Sequence, residues 1–137
     1  MSGNKVEVLY SPKVGRGWST TTAHATRAGG LVFVTGQVAV KSGQDGHKKR
    51  GSVGEMGSLA EQTVQVMENI KAILDHAGTS LDNVAKRNIY LTHPGDFDEV
   101  HAILEKYLGP MATTCVVTGL IPSSSRVEIE VIALIPD

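Results

Sequence analysis

The sequence predicts an α+β two-layer sandwich: a mixed sheet with two helices on one face, in the order β-β-α-β-α-β-β. Three observations lead there. Two segments repeat apolar residues at helical spacing, and each carries a single apolar stripe. Five segments rich in β-branched residues are bounded by glycine, proline or polar turns and read as strands. The chain is 137 residues long, so residues 1–137 make one domain with no room for a second of ordinary size.

The first two strands form a hairpin. His24–Ala28 and Leu31–Val38 flank Gly29-Gly30, and a glycine pair takes the positive φ that tight hairpin turns require. Leu31–Val34 has no polar alternation, so both of its faces are expected to be covered. Residues 41–57, KSGQDGHKKRGSVGEMG, have no apolar period and read as a surface loop. Its basic run, His47 to Arg50, reads as a solvated loop tip rather than a phosphate contact.

The first helix opens on Ser58 and Glu61, a capping box in which each side chain satisfies a backbone donor at the helix start. Thr63, Val66, Met67, Ile70, Ile73, Leu74 and Ala77 define its buried face, and Gly78 stops it. Val84–Leu91 reads as a strand ended by Thr92-His93-Pro94-Gly95. Asp96 and Glu99 spell a second box. Phe97, Val100, Ile103, Leu104, Tyr107 and Leu108 then share one helix face up to Gly109-Pro110. Strands Thr113–Thr118 and Arg126–Ile135 complete the order, joined by a turn at residues 121–125. In the last strand Arg126, Glu128 and Glu130 alternate with Val127, Ile129 and Val131, the period of a strand with two unlike faces. Val34, Val38, Val117 and Val131 suggest that the sheet face away from the helices is partly apolar. Such a face is expected to be buried against another subunit.

Composition excludes several function classes. Thirteen Lys+Arg against fourteen Asp+Glu leave a net charge of −1, too little to concentrate the protein on nucleic acid or an anionic membrane. Aromatic residues are 4% of the chain, which argues against a base-stacking platform. A single cysteine, Cys115, excludes an internal disulfide and a cysteine-cluster zinc site. The longest apolar runs are four or five residues, Leu31–Val34 and Val131–Ile135, against about 20 needed to cross a bilayer. The opening MSGNKVEVLYSPK has no apolar core of a secretory signal, so the cytoplasm is the expected compartment. His24, His47, His76, His93 and His101 have no metal-ligand spacing, and no zinc or iron site is expected. Phosphate-loop, dinucleotide, zincin and nucleophile-elbow motifs are all missing.

Three features carry candidate chemistry. Glu128 and Glu130 lie two apart on one strand face; such close like charges raise one pKa when partly desolvated, as general acid–base work needs. The alternative is that Arg126 and solvent neutralise both on an exposed face. Cys115, in TTCVV, is either an inert packer or a nucleophile that requires a nearby base or cation. At Thr35-Gly36-Gln37 a glycine lets a ligand approach the backbone and its N–H point into a site, or it marks a bulge that ends the strand.

The stretches AGGLVFVTGQVAV, EQTVQVMENIKAILDHAGTSLDNVAKRNIYL, DFDEVHAILEKYL and TTCVVTGLIPSSSRVEIEVIALI resemble the Rid, or YjgF-type, family of reactive intermediate deaminases over nearly the whole chain. The resemblance implies a chorismate-mutase-like fold assembled as a homotrimer, with a barrel core of three sheets and ligand clefts between subunits. It implies hydrolysis of small enamine or imine acids, such as 2-aminoacrylate, to 2-keto acids and ammonia without metal or organic cofactor. In that family a glutamate on the last strand orients water, a cysteine sits in the cleft, and an arginine clamps the substrate carboxylate. The glutamate falls on Glu128, the cysteine on Cys115, and the strand-end Ser/Thr-Gly on Thr35-Gly36.

The departures from the family pattern matter as much. The clamp arginine falls on Thr113, an upstream tyrosine on Thr22, and an asparagine of the second helix on His101. The stretch from that helix to the Thr113 strand is also shorter than in many members. A charge-assisted clamp contributes roughly 1.5–3 kcal/mol, and threonine brings one hydrogen bond and no charge. An acid would need Arg126, Arg87, Lys86 or Arg27 to reach the cleft. Arg126, on the Glu128 face, stands with Thr113, Thr35, Gly36 and His101 among the expected substrate-binding residues. Otherwise the cleft accepts a neutral or more extended substrate. Deamination of 2-aminomuconate shows that the family is not confined to amino-acid imines. The expected function is thus a hydrolytic deaminase, Glu128 and Cys115 catalytic, whose partners are further copies of itself and a small molecule in the inter-subunit clefts, not membrane or nucleic acid. The alternatives are a non-catalytic trimer that binds a metabolite, and an endoribonuclease or translation inhibitor. Neutral charge and scarce aromatics argue against the last.

Overall fold

Gly29 adopts φ +59°, and the chain reverses there as the glycine pair requires. In the computed structural model, which describes residues 5–16, 19–41 and 56–137, this hairpin joins β2 (Ala25–Ala28) to β3 (Leu31–Gln37). Most of the expected 41–57 loop, with its basic run at 47–50, lies outside the described residues. A strand that the sequence reading did not find, β1 (Val6–Leu9), pairs antiparallel with β2. Four residues carry too little periodicity to announce a strand, and their pairing partner lies about twenty residues away.

Helix α1 spans Leu59–Ala77. The Ser58 hydroxyl accepts from the Glu61 amide at 3.1 Å, and the Glu61 carboxylate accepts from the Ser58 amide at 2.9 Å. Gly78 closes the helix at φ +89°, its N–H reaching the Leu74 and Asp75 carbonyls. Every residue of the expected stripe from Thr63 to Ala77 is buried. Strand β4 is Val84–Leu91, β5 is Ala112–Val117 and β6 is Val127–Leu134. The strands make one mixed sheet in the order β1-β2-β3-β6-β4-β5, with β4 and β5 parallel and every other pair antiparallel.

Helix α2 (Phe97–Leu104) differs from expectation at both ends. Asp96 is already in the helical region of φ/ψ and makes no capping bond. Its carboxylate instead receives two hydrogen bonds from the Arg126 guanidinium, at 2.7 and 3.2 Å. A charge-assisted fork of this kind is stronger than a single amide cap, which explains the exchange. The stripe continues past the helix end through turn hydrogen bonds, so Leu108 stays buried while Phe97 is exposed.

Helix α1 packs across β3 and β6 and against α2, covering one face of the sheet. Val32, Val34, Ile89, Leu91, Val127, Ile129, Val131 and Ala133 fill that side of the core. Strand parity sends Leu31, Phe33, Lys86, Asn88, Tyr90, Glu128, Glu130 and Leu134 to the other side. Two expectations are thereby corrected. Val34 and Val131 belong to the helix-covered face, not the open one. Within one chain, Leu31–Val34 is covered on one side, with Leu31 and Phe33 each nearly 40% exposed. The open face is partly apolar all the same, through Leu31, Phe33 and Leu134 beside its charged and polar residues.

Candidate functional site

Between Val34 and Gln37 the β3–β6 register slips: three steps along β3 match two along β6. The extra residue is a bulge at Thr35-Gly36. The Thr35 hydroxyl donates to the Ala23 carbonyl at 2.6 Å and its amide to the His24 carbonyl at 3.0 Å, fixing the bulge to the preceding segment. His24 is buried; its Nδ1 accepts from the Ser11 amide at 2.9 Å and its Nε2 donates to the Gly15 carbonyl at 3.0 Å. Of the two readings of Thr35-Gly36, the structure has the bulge. A side chain at Gly36 would collide with the Glu128 carboxylate.

The two glutamates of β6 share the open face but not an environment. Glu130 accepts hydrogen bonds from the Tyr90 hydroxyl and from Asn88 Nδ2, and that contact with Glu130 pushes the Tyr90 pKa up to about 12. The Glu128 carboxylate makes no hydrogen bond among the described residues, yet it is partly buried. Burial first, and the nearby Glu130 charge second, raise its pKa above the usual carboxylate value. The alternative of neutralisation by Arg126 is overturned. That guanidinium is held by Asp96, and its backbone amide donates to Gln62 Oε1 at 2.9 Å. Gln62 also donates to the Gly57 and Ser124 carbonyls, so α1 sets where β6 begins.

Cys115 lies on the opposite side of the sheet. It registers with Ile89 on β4 and packs against the helix-covered core. Burial raises its thiol pKa, so it is a protonated thiol at neutral pH rather than a ready nucleophile. Thr113, two residues earlier, emerges on the same side and registers with Arg87. Arg87 Nε donates to the Thr113 hydroxyl at 2.8 Å, and that hydroxyl donates to the Met111 carbonyl at 2.9 Å. Arg87 and His101 line a cavity of about 390 Å³ with Leu104, Glu105, Leu108, Gly109 and Pro110. The His101 ring stacks on Phe97 with centroids 3.9 Å apart, and its Nδ1 donates to the Phe97 carbonyl at 2.9 Å, while Nε2 has no partner among the described residues.

One chain therefore holds two groups of candidate residues rather than one site. Thr35, Gly36 and Glu128 gather on the open side, and Thr113, Cys115 and His101 on the helix side. Arg126 joins neither, because Asp96 holds it. Arg87 is the residue whose position the sequence could not specify, since only the parallel β4–β5 register places it beside Thr113. A larger cavity of about 550 Å³, near Lys13, Lys71, Asp75 and Thr79, contains none of the expected site residues. Among the described residues no cluster of His, Cys, Asp or Glu is placed to hold a metal ion, and no helix is long and apolar enough to cross a membrane.

Comparison with known proteins gives the same fold and a family. Residues 18–135 match the family described as Endoribonuclease L-PSP. A mitochondrial protein of Schizosaccharomyces pombe, mmf2, is 40% identical over 114 residues, 80% of this chain and 83% of that protein. A RutC family protein of Pyrococcus horikoshii is 35% identical over 113 residues, 81% of this chain and 84% of that protein. A solved Rid family protein from Yersinia pestis, of unknown function, superposes with a TM-score of 0.81 at 26% identity, covering 95% of this chain and 99% of that one.

Proposed function

The chain belongs to the Endoribonuclease L-PSP, or Rid, family, and from that premise we propose that it is a hydrolytic deaminase of small enamine or imine compounds, working as a homotrimer. The observation that carries the reading is Glu128: a partly buried carboxylate of raised pKa, without a hydrogen-bond partner among the described residues and set against a residue without a side chain. A carboxylate that is desolvated but reaches a cleft is a stronger base than one in water, and it has lone pairs free to hold a water molecule.

The water held by Glu128 adds to the carbon of the protonated imine, and Glu128 takes the water's proton. The carbinolamine that results carries O–H and NH₂ on one carbon. Glu128 returns that proton to nitrogen, and the C–N bond breaks as the hydroxyl oxygen becomes the carbonyl and passes its proton back to the Glu128 carboxylate, leaving a carbonyl compound and ammonia. The Gly36 backbone and the Cys115 thiol steady the developing polar centre, and the open Nε2 of His101 relays a proton. Glu128 and Cys115 lie on opposite faces of one sheet, so a working site needs the open side of one copy against the helix-side rim of another. The exposed Leu31, Phe33 and Leu134 support an assembly that covers the open face.

The test is hydrolysis of 2-aminoacrylate or 2-iminobutanoate generated in a coupled assay. The wild-type protein accelerates ammonia release over buffer, and Glu128→Gln loses about 10²-fold or more of that acceleration. No acceleration by the wild type rejects the proposal. A second reading, metabolite binding without turnover, is favoured by Thr113 in the clamp position, and the same assay separates the two. An RNA-directed activity finds no support in a chain of net charge −1.

A further inference from the structure

We infer that Arg87 is the anion-binding residue of this protein, and that the cavity it shares with His101 takes the carboxylate of a small organic acid. The inference deepens the deaminase reading and rests on it for the identity of the acid, but carboxylate binding at Arg87 is testable without turnover.

Arg87 and Thr113 are direct partners across the parallel β4–β5 pair, so their side chains leave the sheet on the same side. The Arg87 backbone thus lies one strand spacing, about 4.8 Å, inward from the edge-strand position that Thr113 occupies, and its side chain reaches the Thr113 hydroxyl. Thr113 holds it in a particular way. The 2.8 Å bond uses Nε, the nitrogen nearest the chain, and leaves the four N–H groups of the two terminal nitrogens without a partner among the described residues. A guanidinium pinned at Nε presents its fork in one orientation, which suits bidentate capture of a carboxylate. Glu105 lies on the same cavity rim but does not reach ion-pair distance of Arg87. Burial lowers the Arg87 pKa, the mark of a cation partly withdrawn from water. The cavity walls from Leu104, Leu108 and Pro110 are apolar, and a volume of about 390 Å³ holds a small acid.

The other cations with a claim on this place are engaged or badly placed. Arg126 is bound by Asp96. Lys86 lies on the open face, with its Nζ on the Thr114 hydroxyl at 3.2 Å. Arg27 is on β2, which β3 and β6 separate from β4.

The experiment measures binding of 2-oxobutanoate to the intact protein by calorimetry, with uncharged 2-butanone as control. The wild type binds the acid at least about tenfold more tightly than the ketone. Arg87→Gln loses roughly 10–100-fold of the acid affinity, the range of one charge-assisted fork. The exchange variant Arg87→Thr with Thr113→Arg recovers most of it. Thermal melting and oligomer mass of each variant show that the fold is intact. Where Arg87→Gln does not fold, the exchange variant supplies the answer, since it keeps one arginine and one threonine on the same rung. Unchanged acid affinity in Arg87→Gln overturns the inference, as does an acid preference that the exchange variant fails to restore. Acid binding through Arg87 with no imine turnover would sink the deaminase reading and leave this one standing. Imine turnover whose KM is indifferent to Arg87→Gln would do the reverse.

Discussion

Gly36→Ala isolates the contact on which the catalytic proposal depends. Gly36 is not in the left-handed region, so alanine meets no backbone strain there. The three atoms nearest the added methyl all belong to Glu128, with Cδ at 3.0 Å, Cγ at 3.3 Å and a carboxylate oxygen nearer still. Ordinary contact is about 3.5–4 Å, so the carboxylate must retreat by roughly 1 Å or swing to another rotamer. Because it is the free end of a flexible side chain, the fold absorbs this at a cost of about 1 kcal/mol or less. Misplacing a reacting group by that distance costs about 10²-fold in rate, or about 2.7 kcal/mol of barrier. The expected result is a protein whose urea-unfolding free energy is nearly that of wild type but whose kcat/KM for 2-iminobutanoate falls about a hundredfold. Full activity in Gly36→Ala would refute the claim that Glu128 works from the position seen here. A large loss of stability would refute the claim that the contact is confined to a flexible end.

Four further predictions follow from named contacts. The raised pKa of Glu128 means that its ionised form is disfavoured in the folded protein, a penalty present above the folded pKa and relieved as pH falls through it. Glu128→Gln should therefore melt higher than wild type at pH 7.5, and the gain should shrink toward pH 4 in a series of melting curves. Burial lowers the His24 pKa, and its Nδ1 must stay unprotonated to accept from Ser11. Stability is complete above the unfolded value of about 6.5 and falls as pH drops below it, which denaturant titrations from pH 7.5 to 5 will register. Asp96→Asn removes the carboxylate that Arg126 grips, and should cost about 1–3 kcal/mol in urea unfolding; because Asp96 is not a helix cap, Asp96→Ala should cost no extra capping increment. Phe33→Glu places a charge in the apolar patch of Leu31, Phe33 and Leu134 on the open face and should shift the sedimentation mass toward that of one chain, with loss of turnover.

How much of this was readable in advance depended on how local each decision is. The ends of α1 were legible because Ser58, Glu61 and Gly78 settle them within a few residues. Asp96 carries the same short pattern before α2 and behaves differently, because a guanidinium thirty residues along the chain competes for its carboxylate. A pattern of four residues cannot anticipate such a competitor. The apolar run Leu31–Val34 announced a strand correctly, but which of its two parities met the helices depended on how β3 aligns with β6. That is why Val34 and Val131 were expected on the wrong face. The four-residue strand β1 was illegible for the same reason, since its existence depends on β2.

The site divides along the same line. Glu128, Gly36 and Thr35 could be nominated from the sequence, because a paired-carboxylate strand and a strand-end glycine are local signals; that the glycine stands against the first carboxylate, and Tyr90 against the second, needed the bulge and the β4–β6 register. The loss of an arginine at Thr113 looked like the loss of a function. In the folded chain the charge stands beside it, on the neighbouring strand. On the inference drawn for Arg87, the charge is carried by the other member of the cross-strand pair, and a position-by-position reading counts such a displacement as a deletion. The same reasoning explains why Cys115 and Glu128 seemed to belong to one cluster. Strand parity puts them on opposite faces, and chemistry that uses both requires the two faces to belong to different copies of the chain.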